Sequence, residues 1–195
     1  IGPGDALETA GVRSFHELPG VGENLQEHVD SCVLQESLKS DGFRASLSGV
    51  LRMAPEPFRY LFGKKGKLES SVTQAGAFLK TSEDLEIPDV QLHFLPLLYD
   101  DSGRDLKLMS RKGYSCHVCG LRPKSTGRVS LKSADPDDDR VSDLNFLTHP
   151  EGCRSLVTGS RRVRKSLAAS AGSFGTFAPL RNIFPTKNWA SGSPS

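Results

Sequence analysis

The chain has 195 residues, enough for a domain with its own apolar core. Hydrophobic residues make up 36% and charged residues 25%, with a formal net charge of +2. No electrostatic footprint therefore points to nucleic acid or an anionic membrane, and no apolar run approaches the ~20 residues that span a bilayer.

Residues 3–10 read as a short helix, with Pro3 at its start, Asp5 and Glu8 toward the positive N-terminal end, and Gly11 placed for a left-handed close. Residues 12–18 alternate loosely, as a short strand would, and 19–28 form a loop with Gly20 and Gly22. Residues 31–35 suit a strand. Residues 46–62 carry helical apolar spacing (Leu47, Val50, Leu51, Phe58, Leu61, Phe62), broken by Pro55 and Pro57.

Four strands are expected next, over 75–80, 90–98, 114–121 and 128–132, with a polar connection at 100–112. The turn-rich link 123–127 makes a hairpin of the last two strands, and 133–143 reads as an acidic turn region. Thr148-His149-Pro150-Glu151 is a capping-box pattern opening a helix to about Leu167. That helix places Leu156, Val157, Val163 and Leu167 on one side, with Arg161, Arg162, Arg164 and Lys165 mostly on the other. Beyond Ala168, Gly, Ser and Pro dominate, and an irregular tail is expected. The expected class is α+β: a mainly antiparallel sheet with helices packed on one face.

The segment Leu18-Pro19-Gly20-Val21-Gly22-Glu23-Asn24-Leu25-Gln26-Glu27-His28 lets backbone turn tightly and approach a ligand. It lacks the third glycine of a dinucleotide fingerprint, so by composition alone it reads as a surface loop. Cys116-His117-Val118-Cys119 invites a metal reading, but on a strand positions 116 and 119 face opposite ways and cannot chelate one ion. These residues are expected in a core or interface, and Cys32, Cys116, Cys119 and Cys153 as buried thiols. Residues 89–94 alternate strictly, with Val90, Leu92 and Phe94 on one face and Gln91 and His93 on the other. That second face can floor a polar pocket or simply meet solvent. Asp137-Asp138-Asp139 lacks the spaced ligands of a calcium loop and reads as a solvated turn, and the basic side of the last helix reads as a solvated face rather than a phosphate site. No nucleophile elbow, phosphate loop or HExxH motif occurs.

Ile1-Gly2-Pro3 and then residues 18–28 resemble the "SGIGP…LPGVGxNLxDH" stretch of the glucose–methanol–choline (GMC) oxidoreductases. Gln74-Ala75-Gly76-Ala77-Phe78 resembles their "EAGAF" strand, residues 89–94 their "DxQxHF" strand, and residues 121–129 their "LRPxSRGxV" segment. Ser133-Ala134-Asp135-Pro136 and Asn145-Phe146-Leu147 resemble "SxDPxxxPxIxxNYL". The matches keep family order over roughly 1–167 and are most similar to choline dehydrogenase-like alcohol dehydrogenases.

The resemblance implies an internal piece of a two-domain flavoprotein that oxidises an alcohol by hydride transfer to FAD. It implies a remnant of the FAD-binding domain at 1–30, a substrate domain at 31–170 and an irregular tail at 171–195. Gly22, Asn24, Leu25 and His28 then fall on the cofactor side, and Gln74, Gln91 and His93 on the substrate side. Gln74 stands where many relatives carry Glu. The family's glycine fingerprint and its C-terminal "HPxGTCxMG" and "NxN" segments are absent from this sequence. No catalytic residue is therefore assigned in the chain, His149 included, and the chain alone is expected neither to retain FAD nor to turn over. The implied partners are a small alcohol and the parent's FAD domain, with no metal, nucleic acid or membrane span. A soluble, cytoplasmic protein is the expected class, with the compartment left open. A non-enzymatic β-sheet binding module, or a truncated or frameshifted gene product, are the alternative readings.

Overall fold

The computed structural model describes residues 1–37, 42–63, 66–69, 71–100 and 105–169. The expected tail at 171–195 lies outside these residues. In chain order the elements are α1 (Gly4–Thr9), β1 (Glu23–Leu25), β2 (Asp30–Glu36), α2 (Leu47–Met53), α3 (Glu56–Gly63), β3 (Ala75–Leu79), β4 (Val90–Leu95), α4 (Leu106–Met109), β5 (Gly113–Gly120), β6 (Gly127–Ser130), β7 (Val141–Asp143) and α5 (Pro150–Ala169). They fall into two compact units, Ile1–Val29 with Gly120–Ser155, and Asp30–Cys119 with Leu156–Ser195. No helix among the described residues is long and apolar enough to cross a membrane.

The first unit is built on a three-stranded sheet in the order β1-β6-β7, antiparallel throughout. α1 forms as expected, and Gly11 closes it at φ +79° with its N–H donating to the Glu8 carbonyl. The strand expected over 12–18 does not form. One parallel bridge joins Gly2 to Glu17, and the Glu17 carboxylate accepts from the Gly4 N–H at 2.8 Å. That stretch is thus spent on the entrance of α1 rather than on a sheet.

The expected loop at 19–28 contains β1, because Gly22 at φ +84° brings its carbonyl to the Val129 N–H at 2.7 Å. The hairpin expected between 114–121 and 128–132 is also corrected. β5 belongs to the other sheet, and β6 pairs instead with β1 and with β7, which arises inside the expected acidic turn region. The link turns away at Arg122 (φ +49°) and is held by Gln26, whose Nε2 donates to the Pro123 carbonyl at 2.7 Å.

α5 begins on His149 rather than on the expected capping box. The Thr148 hydroxyl donates to the Asn145 carbonyl, while His149 Nδ1 accepts from the Glu151 N–H at 3.4 Å. The Glu151 carboxylate pairs with Lys124 at 2.6 Å, and that hydrogen bond holds its carboxyl below the ordinary value.

The second unit carries a four-stranded sheet in the order β2-β5-β4-β3, with β2–β5 and β3–β4 antiparallel. β5 is buried on both faces through residue 118, as a central strand must be. The C-terminal part of α5 covers one face. Gly159 allows the approach: a Cβ there would sit 2.8 Å from Val118 Cγ1. Leu156 and Val163 are buried beside it, with Val33, Val90, Cys116 and Val118 in the same core. Val157, expected on this side, is 40% exposed, because it is one position round the helix from Leu156. Arg162, on the basic side, reaches the Lys80 and Thr81 carbonyls at the end of β3.

The proline break falls as expected between α2 and α3. Ser46 caps α2, accepting from the Gly49 N–H at 3.2 Å. Glu56 is buried in α3, where it pairs with Arg59 at 3.1 Å and accepts from the Lys67 N–H at 2.8 Å. The apolar residues of both helices nevertheless stay out: Leu47, Val50, Leu51, Phe58, Leu61 and Phe62 are all exposed, Phe62 by 88%. An apolar set of this kind promotes association. Changing Leu61 and Phe62 together to Glu is therefore expected to lower hydrophobic-dye binding several-fold while moving stability by no more than ~0.5 kcal/mol. A clear drop in the urea midpoint of the double variant would show instead that these side chains are packed.

Candidate functional site

The register of the four-stranded sheet sorts its residues. Ala75 lies opposite Phe94, Ala77 opposite Leu92 and Leu79 opposite Val90, so these six share a face. Phe94 stacks tilted on Tyr114, with ring centroids 5.5 Å apart, so Tyr114 and Cys116 of β5 lie on that face too. Between it and α5 is an apolar cavity of about 240 Å³, lined among others by Ala75, Leu92, Phe94, Val163 and Leu167. Burial there pushes the Cys116 thiol up to about 11, assisted by the charge of Asp30. Nothing in this cavity could orient a polar substrate except Arg162 and Ser166 at its rim, so it reads as loose packing of the helix on the sheet.

The opposite face is the polar one. Gln91 lies across from Phe78 and His93 across from Gly76. Both Gln91 and His93 are half-buried, and Phe78 is 60% exposed. Gly76 leaves the space over His93 clear of a side chain. Its own Cβ would come within 3.0 Å of the Leu92 carbonyl. Gln74 precedes β3 by one residue, is exposed, and donates its N–H to the Phe94 carbonyl at 3.1 Å. By alternation from Ala75 it belongs to the same face as Gly76. The structure thus brings Gln74, Gln91 and His93 to one sheet face.

The residues expected on the cofactor side do not converge in this way. Gly22 faces the Val129 carbonyl, which would be 2.3 Å from a Cβ, and Leu25 pairs with Gly127. Asn24 takes a left-handed φ of +59° and is exposed; His28 is exposed, its N–H donating to the Glu27 carboxylate. Gly22 and Leu25 therefore have a structural task in building the β1–β6 pair.

The polar face holds a second group that reading the sequence set aside. His117 of β5 lies opposite Cys32 of β2. Its Nδ1 is 2.5 Å from Asp30 Oδ2 and its Nε2 is 3.4 Å from Cys32 Sγ. Ser115, on the same face, donates to the Leu97 carbonyl at 2.9 Å. Alternation alone puts His117 on the face opposite Cys116. Nothing local signals that Asp30, 87 positions away, meets it. Among the described residues no three His, Cys, Asp or Glu side chains are placed to hold a metal ion.

The sequence agrees with one family. A family profile described as GMC oxidoreductase matches residues 123–193. An "Alcohol dehydrogenase [acceptor]" of Pseudomonas putida is 38% identical over 159 residues, which cover 82% of this chain and 28% of that protein. The chain belongs to the GMC oxidoreductase family.

An oxygen-dependent choline dehydrogenase of Escherichia coli O127:H6 is 32% identical over 168 residues, covering 85% of this chain and 29% of that GMC relative. The formate oxidase of Aspergillus oryzae RIB40 shares the fold, with a TM-score of 0.73 at 20% identity over 94% of this chain and 37% of that one. The chain thus spans 28–29% of the length of these two curated relatives. The profile match takes in residues 171–193, for which an irregular tail was expected.

Proposed function

We propose that this GMC chain is the substrate-side part of a flavin-dependent oxidoreductase that oxidises an alcohol, and that Gln74, Gln91 and His93 form the wall the alcohol meets. The observation that carries the reading is the polar sheet face: Gln91 and His93 side by side, with Gly76 opposite His93 and Gln74 at the strand entrance. The relatives named alcohol and choline dehydrogenase, and the formate oxidase in which FAD is modified, support the reaction class and the cofactor. FAD supplies the acceptor for the hydride that leaves the alcohol carbon.

Gly22 and Leu25 build the β1–β6 pair, and the exposed Asn24 and His28 beside them are the residues that would meet the flavin. The residues of this chain bind and orient. Gln91 and His93 are half-buried, and a substrate hydroxyl offers both a donor and an acceptor to an amide and an imidazole. The division at residue 30 between an FAD-domain remnant and a substrate domain is supported by the unit boundary at Val29/Asp30; residues 120–155 cluster with the N-terminal segment.

Gln74 is neutral, and an uncharged amide suits a neutral alcohol better than a quaternary ammonium, which gains from a carboxylate. The parent enzyme is expected to show a higher kcat/KM for neutral primary alcohols than for choline, and Gln74→Glu to shift the ratio toward choline by about tenfold, equivalent to ~1.4 kcal/mol. Steady-state kinetics on the full-length enzyme checks this. A choline preference in the unaltered enzyme that Gln74→Glu leaves unchanged would overturn the placement of the wall.

A further inference from the structure

Cys32, His117 and Asp30 form a series on the polar face of the second unit. Asp30 Oδ2 sits 2.5 Å from His117 Nδ1, and His117 Nε2 sits 3.4 Å from Cys32 Sγ. The two contacts are on opposite sides of one imidazole, so the three groups are lined up through the ring rather than gathered on a point. A line of this kind does not chelate a metal; it moves a proton. The Asp30 carboxylate holds the ring proton on Nδ1, which leaves the Nε2 lone pair directed at the thiol. A nucleophile, a base within reach and a third group orienting the base are the arrangement that activates a cysteine.

The neighbours limit what can reach it. His117 is buried, Cys32 is partly exposed with its Sγ donating to the Tyr99 carbonyl at 3.3 Å, so that its proton must turn from that carbonyl to reach His117 Nε2, and the Tyr99 ring centroid lies 6.0 Å from that of His117. A half-buried thiol beside a buried ring favours a small electrophile over a large one.

We propose that Cys32 is a reactive thiol, with His117 as its base and Asp30 positioning that base, and that it takes a small hydroperoxide. His117 Nε2 accepts the thiol proton. The thiolate sulfur attacks one peroxide oxygen, an S–O bond forms and the O–O bond breaks. The sulfur is oxidised by two electrons to a sulfenic acid, and the peroxide is reduced. The departing oxygen, hydroxide from hydrogen peroxide or alkoxide from an alkyl hydroperoxide, takes the proton back from His117 Nε2 and leaves as water or the alcohol, so atoms, charge and electrons balance. The buried thiol of Cys116 serves as the internal control. Cys116 lies on the helix-covered face of the same sheet and is buried.

The test is to expose the chain to hydrogen peroxide with dimedone as the sulfenic-acid trap, and to read labelling at each cysteine by mass spectrometry. Cys32 is expected to label about tenfold or more faster in the native chain than in the urea-unfolded chain, with Cys116 protected. His117→Gln and Asp30→Asn should each bring Cys32 down toward its unfolded rate. Cys116 labelling reports whether either variant has lost its fold; in that case the native-to-unfolded ratio of the unaltered chain decides. Cys32 reacting no faster native than unfolded overturns the proposal. So does fast alkylation of Cys32 by iodoacetamide without fast peroxide labelling, or undiminished Cys32 labelling in a folded His117→Gln chain.

Discussion

Gly127→Ala is expected to destabilise the three-stranded sheet by about 3 kcal/mol or more. β6 is its middle strand, and Gly127 lies opposite Leu25 of β1. A Cβ added there would be 1.9 Å from the Asp143 carbonyl oxygen, 2.9 Å from that carbonyl carbon and 2.8 Å from the Leu144 carbonyl carbon. All three are backbone atoms. They cannot swing aside as a side chain can, and Asn145 clamps the turn further, its Nδ2 donating to the Thr126 carbonyl at 2.9 Å. The only relief is to part β6 from β7. Gly20→Ala is the control, since nothing lies within 4 Å of its added Cβ. Urea unfolding, with hydrogen exchange at the amides of residues 128–130, should separate the two. Equal stability of both variants would show that the sheet does not rest on this close approach.

Leu98→Ala is expected to lower the stability of the second unit by about 2–5 kcal/mol, the range for emptying a fully buried leucine site. Leu98 has no exposed surface and packs against the backbone at Gly113; a Cβ on that glycine would sit 2.8 Å from Leu98 Cδ2. Since Gly113 has no side chain to move into the void, the cavity should persist rather than collapse. Val157→Ala is the comparison, because Val157 is 40% exposed and its truncation should cost well under 1 kcal/mol. The measurement is the urea midpoint at unchanged slope. A Leu98→Ala midpoint close to that of Val157→Ala would place the core of this unit elsewhere.

Much of the second unit was legible because its signals are local. Val90, Leu92 and Phe94 alternate with Gln91 and His93, and the two sets do lie on opposite faces. The Pro55 break, the α5 helix and its Leu156 and Val163 anchors follow from spacing and proline chemistry. The first unit was less legible. β1 and β7 have three residues each, largely exposed and polar, so no alternation marks them. Adjacent strands suggested a hairpin between β5 and β6, but short turn-rich links also join strands that part company.

The sequence by itself determined the family, the α+β class and the shared face of Gln91 and His93, since all three rest on short segments read in order. Only the tertiary structure decided which strands pair. Glu23 meets Arg128 and Arg128 meets Asp143 because long-range backbone hydrogen bonds and the missing side chains of Gly22 and Gly127 permit that approach. It also decided the company His117 keeps. A strand's period of two says which way a histidine faces, while the register with β2, set across the sheet, is what places Asp30 and Cys32 at its two nitrogens.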